Sequence, residues 1–146
     1  MSVCTFFGHR EIFGNIEPKL KTVLTNLIEK ENVTIFYVGN HGAFDRLVKK
    51  VLKDMKKMYP HISYAVVLAY MPTSKQEEME ESVFPEGLEN TPPKNAIIKR
   101  NEWMLNEAQY VVSFVKDGQG GAAFFQEKAM KKGKTVINIA ENQKMW

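Results

Sequence analysis

Five short apolar runs alternate with segments whose apolar residues recur at helical spacing. Ser2–Phe7, Val33–Val38, Ile62–Ala69, Tyr110–Val115 and Thr135–Ile139 are continuous and rich in β-branched and aromatic residues. Each is expected to be a strand buried on both faces. Between the first two, Leu20, Val23, Leu24, Leu27 and Ile28 line one side of a helix that starts near Glu17-Pro18. Phe44, Leu47, Val48, Val51, Leu52, Met55 and Met58 repeat the pattern on a second helix, which runs to about Tyr59. Asn95–Glu107 reads as the third helix. A fourth runs from about Gly121 to Lys132, with Gly133 as its C-cap.

Strands that alternate with helices predict an α/β fold. The expectation is a three-layer Rossmann-like sandwich with a five-stranded, mainly parallel sheet. Its order would be 3-2-1-4-5, with a switch point between the first and fourth strands. The 146 residues are expected to form a single domain. One polar segment, Thr73–Pro93, breaks the rhythm. It holds the run Glu77-Glu78-Met79-Glu80-Glu81 and three prolines, and it reads as an insertion or lid loop. The polar tail, Ala140–Trp146, carries no readable signal.

Charge and composition narrow the partners. The net charge is +3 with a pI of about 8.9, and the two signs are interspersed. That balance does not indicate a nucleic-acid partner. The one cysteine, Cys4, sits in the first apolar run, so no intramolecular disulfide forms and a small buried residue is expected. No apolar run reaches the roughly 18 residues of a spanning helix. No basic leader opens the chain, so a cytoplasmic location and no membrane partner are expected. An exposed Trp103 or Trp146 would mark a subunit contact, hence a homo-oligomer; core packing is the other reading of Trp103.

Ligands of open parallel sheets bind beyond the carboxyl ends of the strands. Three loops carry chemistry there. Gly8-His9-Arg10 follows the first strand; its glycine permits close approach and its arginine can pair with phosphate. Gly39-Asn40-His41-Gly42 follows the second, with Asp45 in the next helical turn as an acceptor for ribose hydroxyls or a complement to the helix dipole. Asp117-Gly118-Gln119-Gly120-Gly121-Ala122 follows the fourth and is the strongest signal, because a glycine turn at a helix start is what a phosphate needs. It is neither GxGxxG nor GxxxxGK[ST], which argues against a dinucleotide fold or a P-loop ATPase. Arg100 lies on the helix before the fourth strand. His9, His41, His61 and Cys4 lack metal-ligand spacing, so no metal and no cofactor are expected.

The ordered set TFFGHR, YVGNHGAFD, KRNEWML-x3-QYVVSFV, GQGGAA and KGKTVINI resembles the SLOG superfamily. These are Rossmann-like nucleotide-binding domains related to DprA and to the cytokinin-activating "Lonely guy" phosphoribohydrolases. The likeness is to the small bacterial members with a GHR-type turn, and it covers almost the whole chain. It implies a nucleotide or nucleotide-derived ligand near Gly8, Gly39, Gly42, Gly120 and Gly121, bound by a sensor or carrier. The alternative it implies is a nucleoside 5′-monophosphate N-glycosidase. In that branch an arginine placed like Arg100 works with a glutamate of a PGGxGTxxE motif. Here Phe125 stands at the glutamate's place, and the candidate, Glu127, lies about 200° further round an ideal helix. A second alternative is a DprA-like DNA-handling or partner-binding module.

Overall fold

The computed structural model describes residues 2–12, 14–70, 82–88 and 91–140. The elements are β1 (Ser2–Gly8), α1 (Glu17–Glu29), β2 (Val33–Val38), α2 (Gly42–Met58), β3 (Ser63–Val67), β4 (Ser82–Val83), α3 (Pro93–Glu107), β5 (Tyr110–Phe114), α4 (Gly120–Lys131) and β6 (Thr135–Asn138). All strand pairings are parallel, in the order β4-β3-β2-β1-β5-β6. The five expected strands keep their expected order, and the sheet has a sixth. Ser82 and Val83 lie beside Val66 and Val67 at the edge, and Leu68 N–H donates to the Val83 carbonyl at 2.8 Å. A two-residue strand is too short to show a period of two, and this one sits among acidic residues and prolines. The rest of the expected insertion is only partly covered: residues 73–81 and 89–90 lie outside the described residues. So do residues 141–146, and with them Trp146.

The apolar stripes decide which helices cover which face. On one side, Leu20, Val23, Leu24, Leu27 and Ile28 of α1 and Phe44, Val48, Val51, Leu52 and Met55 of α2 pack on Cys4, Phe6 and Phe36. On the other, Met104 and Leu105 of α3 and Phe125 and Ala129 of α4 pack on Phe7, Val67 and Val111. Adjacent residues Phe6 and Phe7 therefore feed opposite cores, which is why the run around them is continuously apolar. Cys4 is fully buried, and burial pushes its thiol pKa far up. Trp103 packs edge-on against Tyr37 with ring centroids 5.0 Å apart, so its ring contributes to the core layer.

The helix ends follow their sequence signals. Pro18 opens α1 and Glu17 sits in its first turn, paired with Lys21 and Lys50. Gly133 has φ +79°, and Lys134 N–H reaches back to the Ala129 carbonyl at 3.0 Å, closing α4 as expected. No described helix is long and apolar enough to cross a membrane.

Candidate functional site

The carboxyl ends of β1, β2 and β5 and one side of α3 enclose a cleft of about 330 Å³. That is near the lower bound of about 300 Å³ for small-molecule sites. Of the residues expected at a site, Gly8, His9, Arg10, Asp45, Arg100, Gly120, Gly121 and Ala122 line it. His41, Asn101, Ile97, Met104, Phe6 and Phe7 join them.

The loop after β1 is held at three points. His9 N–H donates to the Phe114 carbonyl at 3.1 Å, and His9 Nε2 accepts the Lys116 N–H at 2.9 Å. His9 thereby pins the entrance of the glycine turn to β1. The Arg10 carbonyl accepts Ala43 N–H at 2.7 Å, which joins the loop to the start of α2. Gly42 has φ +88°, and a Cβ there would lie 2.6 Å from Arg10 Cα. Gly42 thus serves this loop-to-loop contact and does not itself line the cleft. Asn40 also lies outside the lining; its side-chain oxygen accepts Lys49 Nζ at 2.9 Å.

Asp45 is buried in the first turns of α2, and its Oδ2 accepts the His41 N–H at 2.9 Å. The carboxylate therefore satisfies an orphan donor at the start of its own helix. Burial pushes its pKa up, against the lowering effects of that hydrogen bond and of Arg100 and Lys49.

Arg100 is 2% exposed, so it is no surface helix arginine. Nη1 donates to the Val67 carbonyl at 3.0 Å, Nε donates to Asn101 Oδ1 at 2.8 Å, and Nη2 lies 3.4 Å from His41 Nδ1. A guanidinium only donates, so His41 Nδ1 is the acceptor and the ring proton sits on Nε2. Burial lowers the His41 pKa, and the charges of Arg100 and Arg10 lower it further. Among the described residues no carboxylate forms an ion pair with Arg100. Gly39 lies beneath this cluster. A Cβ there would stand 2.7 Å from Arg100 Nη1 and 2.8 Å from Asp45 Oδ2. The glycine keeps the guanidinium and the carboxylate seated on the end of β2 while remaining outside the cleft lining.

Across the cleft, the glycine turn feeds α4. Asp117 Oδ1 accepts Gln119 N–H at 3.1 Å, Gly120 has φ +91°, and the N-cap Gln119 makes no side-chain cap. A Cβ at Gly118, Gly120 or Gly121 would meet open space. Gly118 is not part of the lining, whereas Gly120 and Gly121 are. The turn is anchored from behind. Ser113 Oγ bonds Gln126, and Asn138 brackets Val115, accepting its N–H at 3.1 Å and donating to its carbonyl at 2.9 Å.

Glu127 stands apart. Its side chain is 69% exposed and pairs with Lys131 at 3.4 Å. Glu102 pairs with Lys128, and Asp117 serves the turn. Asp45 is thus the one carboxylate lining the cleft among the described residues. No described group of three or more His, Cys, Asp or Glu side chains is placed to hold a metal. Ser113 and Asn138 lie inside apolar strands and give no periodic signal of their anchoring role. Comparison of the chain with protein-family models and with curated protein sequences gave no match.

Proposed function

We propose that the cleft binds a nucleotide or nucleotide-derived anion, and that the protein works as a sensor or carrier of it. The observation that carries this reading is Arg100. Its guanidinium is buried at the cleft without an ion pair among the described residues. Its hydrogen bonds go to neutral acceptors, and the nearest carboxylate, Asp45, stays beyond ion-pair distance; burying a charge in this way costs up to several kcal/mol, roughly, and an anionic ligand offsets that cost. Arg10 and the uncapped start of α4 add to the same positive field. The glycine turns that resemble those of the SLOG superfamily support the reading independently, and we assign the chain to that superfamily on their order. The N-glycosidase reading needs a carboxylate at the sugar; Asp45 lines the cleft and Glu127 does not, so that reading would rest on Asp45.

A thermal-shift titration with nucleoside monophosphates, cyclic nucleotides and ADP-ribose derivatives tests this, with hydrolysis followed on every hit. Ligand binding raises the melting temperature by mass action. Gly121→Asp has room for its side chain and places an acid in the first turn of α4, where it favours the helix. The variant is expected to melt no lower than the wild type and to lose the ligand-induced shift. An undiminished shift in the variant, or no wild-type shift at millimolar ligand, overturns the assignment. Consumption of a hit establishes the hydrolase.

A further inference from the structure

The imidazole of His41 lies where four parts of the chain meet. α3 brings Arg100, whose Nη2 stands 3.4 Å from His41 Nδ1, with the neutral Asn101 beside it. The loop after β1 brings Arg10. The start of α2 brings Asp45 and Lys49, and Lys49 bonds Asn40. The residues after β3 bring Tyr70, whose ring is edge-on to the imidazole at 6.1 Å between centroids. Asp45 Oδ2 accepts the His41 backbone N–H, so among the described residues no carboxylate bonds the ring.

The field at the ring is therefore positive. Burial, then the charges of Arg100 and Arg10, keep the imidazole neutral. A proton on Nδ1 would set two donors against one another across the contact with Nη2. That contact is also long for a hydrogen bond, which leaves it easily exchanged for a better one. An anionic oxygen changes the balance. Placed between Nη2 and Nδ1, it accepts from the guanidinium and from a protonated ring alike. It also offsets the two arginine charges that kept the proton away.

We infer that the anion seats between Arg100 and His41 and is taken up together with a proton from solvent, which His41 carries on Nδ1. The inference rests on the anion-binding reading of the cleft and adds to it the group that makes binding respond to pH. The complex holds a proton that the protein alone does not, so affinity rises as pH falls. The rise amounts to as much as about tenfold per pH unit. It levels off where His41 of the unliganded protein itself titrates, below its ordinary 6.5.

The test is calorimetric titration of the wild-type protein near neutral pH with ADP-ribose, cyclic AMP, sulfate and adenosine 5′-monophosphate. The first three keep a fixed charge between about pH 6 and 8, so a proton that moves belongs to the protein. For the monophosphate, its own titration is subtracted. Heats measured in buffers of different ionisation enthalpy count the protons. The expected result is an uptake approaching one proton per anion, and an affinity that weakens from about pH 6 to 8. His41→Gln keeps an acceptor for Arg100; it is expected to abolish the uptake and flatten the pH dependence. Binding without proton uptake overturns the inference and leaves the anion reading standing. So does uptake that persists in His41→Gln, which assigns the proton to His9 or to the buried Asp45. Binding of none of the four probes at millimolar concentration overturns both. Nitrogen NMR of the three wild-type imidazoles needs no variant, so a poorly folding His41→Gln does not shield the inference. The ring in contact with Tyr70 must become doubly protonated on saturation, and a ring that stays neutral there overturns the inference.

Discussion

The carbonyl of Val67, the last residue of β3, accepts Arg100 Nη1 at 3.0 Å. One hydrogen bond thus fixes α3 to the sheet and aims a charged group at the cleft. The two roles have opposite signatures in a variant. Arg100→Met removes a buried charge, a relief of several kcal/mol by order of magnitude, and orphans the buried Val67 carbonyl at a cost of roughly 1–3 kcal/mol, while the Asn101 and His41 acceptors, half-buried at the cleft, are left to water. The expected outcome is a melting temperature equal to or above that of the wild type, with nucleotide affinity weakened roughly ten- to hundredfold. A variant that melts well below the wild type and binds normally would make Arg100 a structural tie.

Gly120 and Gly121 are neighbours with different obligations. Both have open space where a Cβ would go, but only Gly120 has positive φ, at +91°. Gly120→Ala is expected to cost about 1–2 kcal/mol, because an L residue there is strained. Gly121→Ala is expected to be neutral or to gain up to about 1 kcal/mol from lost freedom in the unfolded chain. Denaturant unfolding of both variants measures this. Equal effects would refute the distinction between the two positions.

His41 ties stability to pH. Its folded pKa lies below the ordinary value of 6.5, from burial first and then from the charges of Arg100 and Arg10. The unfolded chain therefore binds the extra proton more readily. The stability contributed by neutral His41 is complete above pH 6.5 and is lost as pH falls through the lowered folded value. Asp45 acts in the opposite sense. Its raised pKa gives a contribution complete below its ordinary 3.8 and lost as pH rises through the raised value. His41→Gln isolates the histidine. Unfolding free energies of wild type and variant, compared between about pH 7.5 and 5, should differ by an amount that shifts against the wild type as pH drops. A constant difference would show that His41 does not titrate in this window.

The legibility of this chain in its sequence followed length scale. Continuous apolar strands and complete helical stripes are repeated signals, and α1 buries all five of the residues its spacing nominated. β4 has two residues and no repetition, so it was hidden. The glycine turns were readable as turns, but their separate jobs were not. Gly39 and Gly42 serve contacts with Arg100, Asp45 and Arg10, groups 6 to 61 residues away in the chain, and only the folded state brings them together. Burial of Arg100 was unreadable for the same reason. A helix of low amphipathicity gives no period by which to tell its inner face, and the pocket that receives the guanidinium is made by the ends of β2 and β3. Glu127 was nominated by motif alignment alone, and a shift of two residues along a helix was enough to carry it to the solvent face.

Gly8 has no side chain because the Phe44 ring already fills that space; a Cβ there would lie 2.1 Å from Phe44 Cδ2. Phe44 in turn stacks on Phe114 of β5 with ring centroids 6.1 Å apart. These three positions cannot drift independently. In descendants of this chain, a larger residue at position 8 becomes tolerable only after position 44 has shrunk, and a smaller ring at 44 leaves 114 without its neighbour. The order of substitutions is therefore constrained as well as their identity. The packing between the end of β1 and the core should be inherited as one unit, and positions 8, 44 and 114 should change only in step with one another.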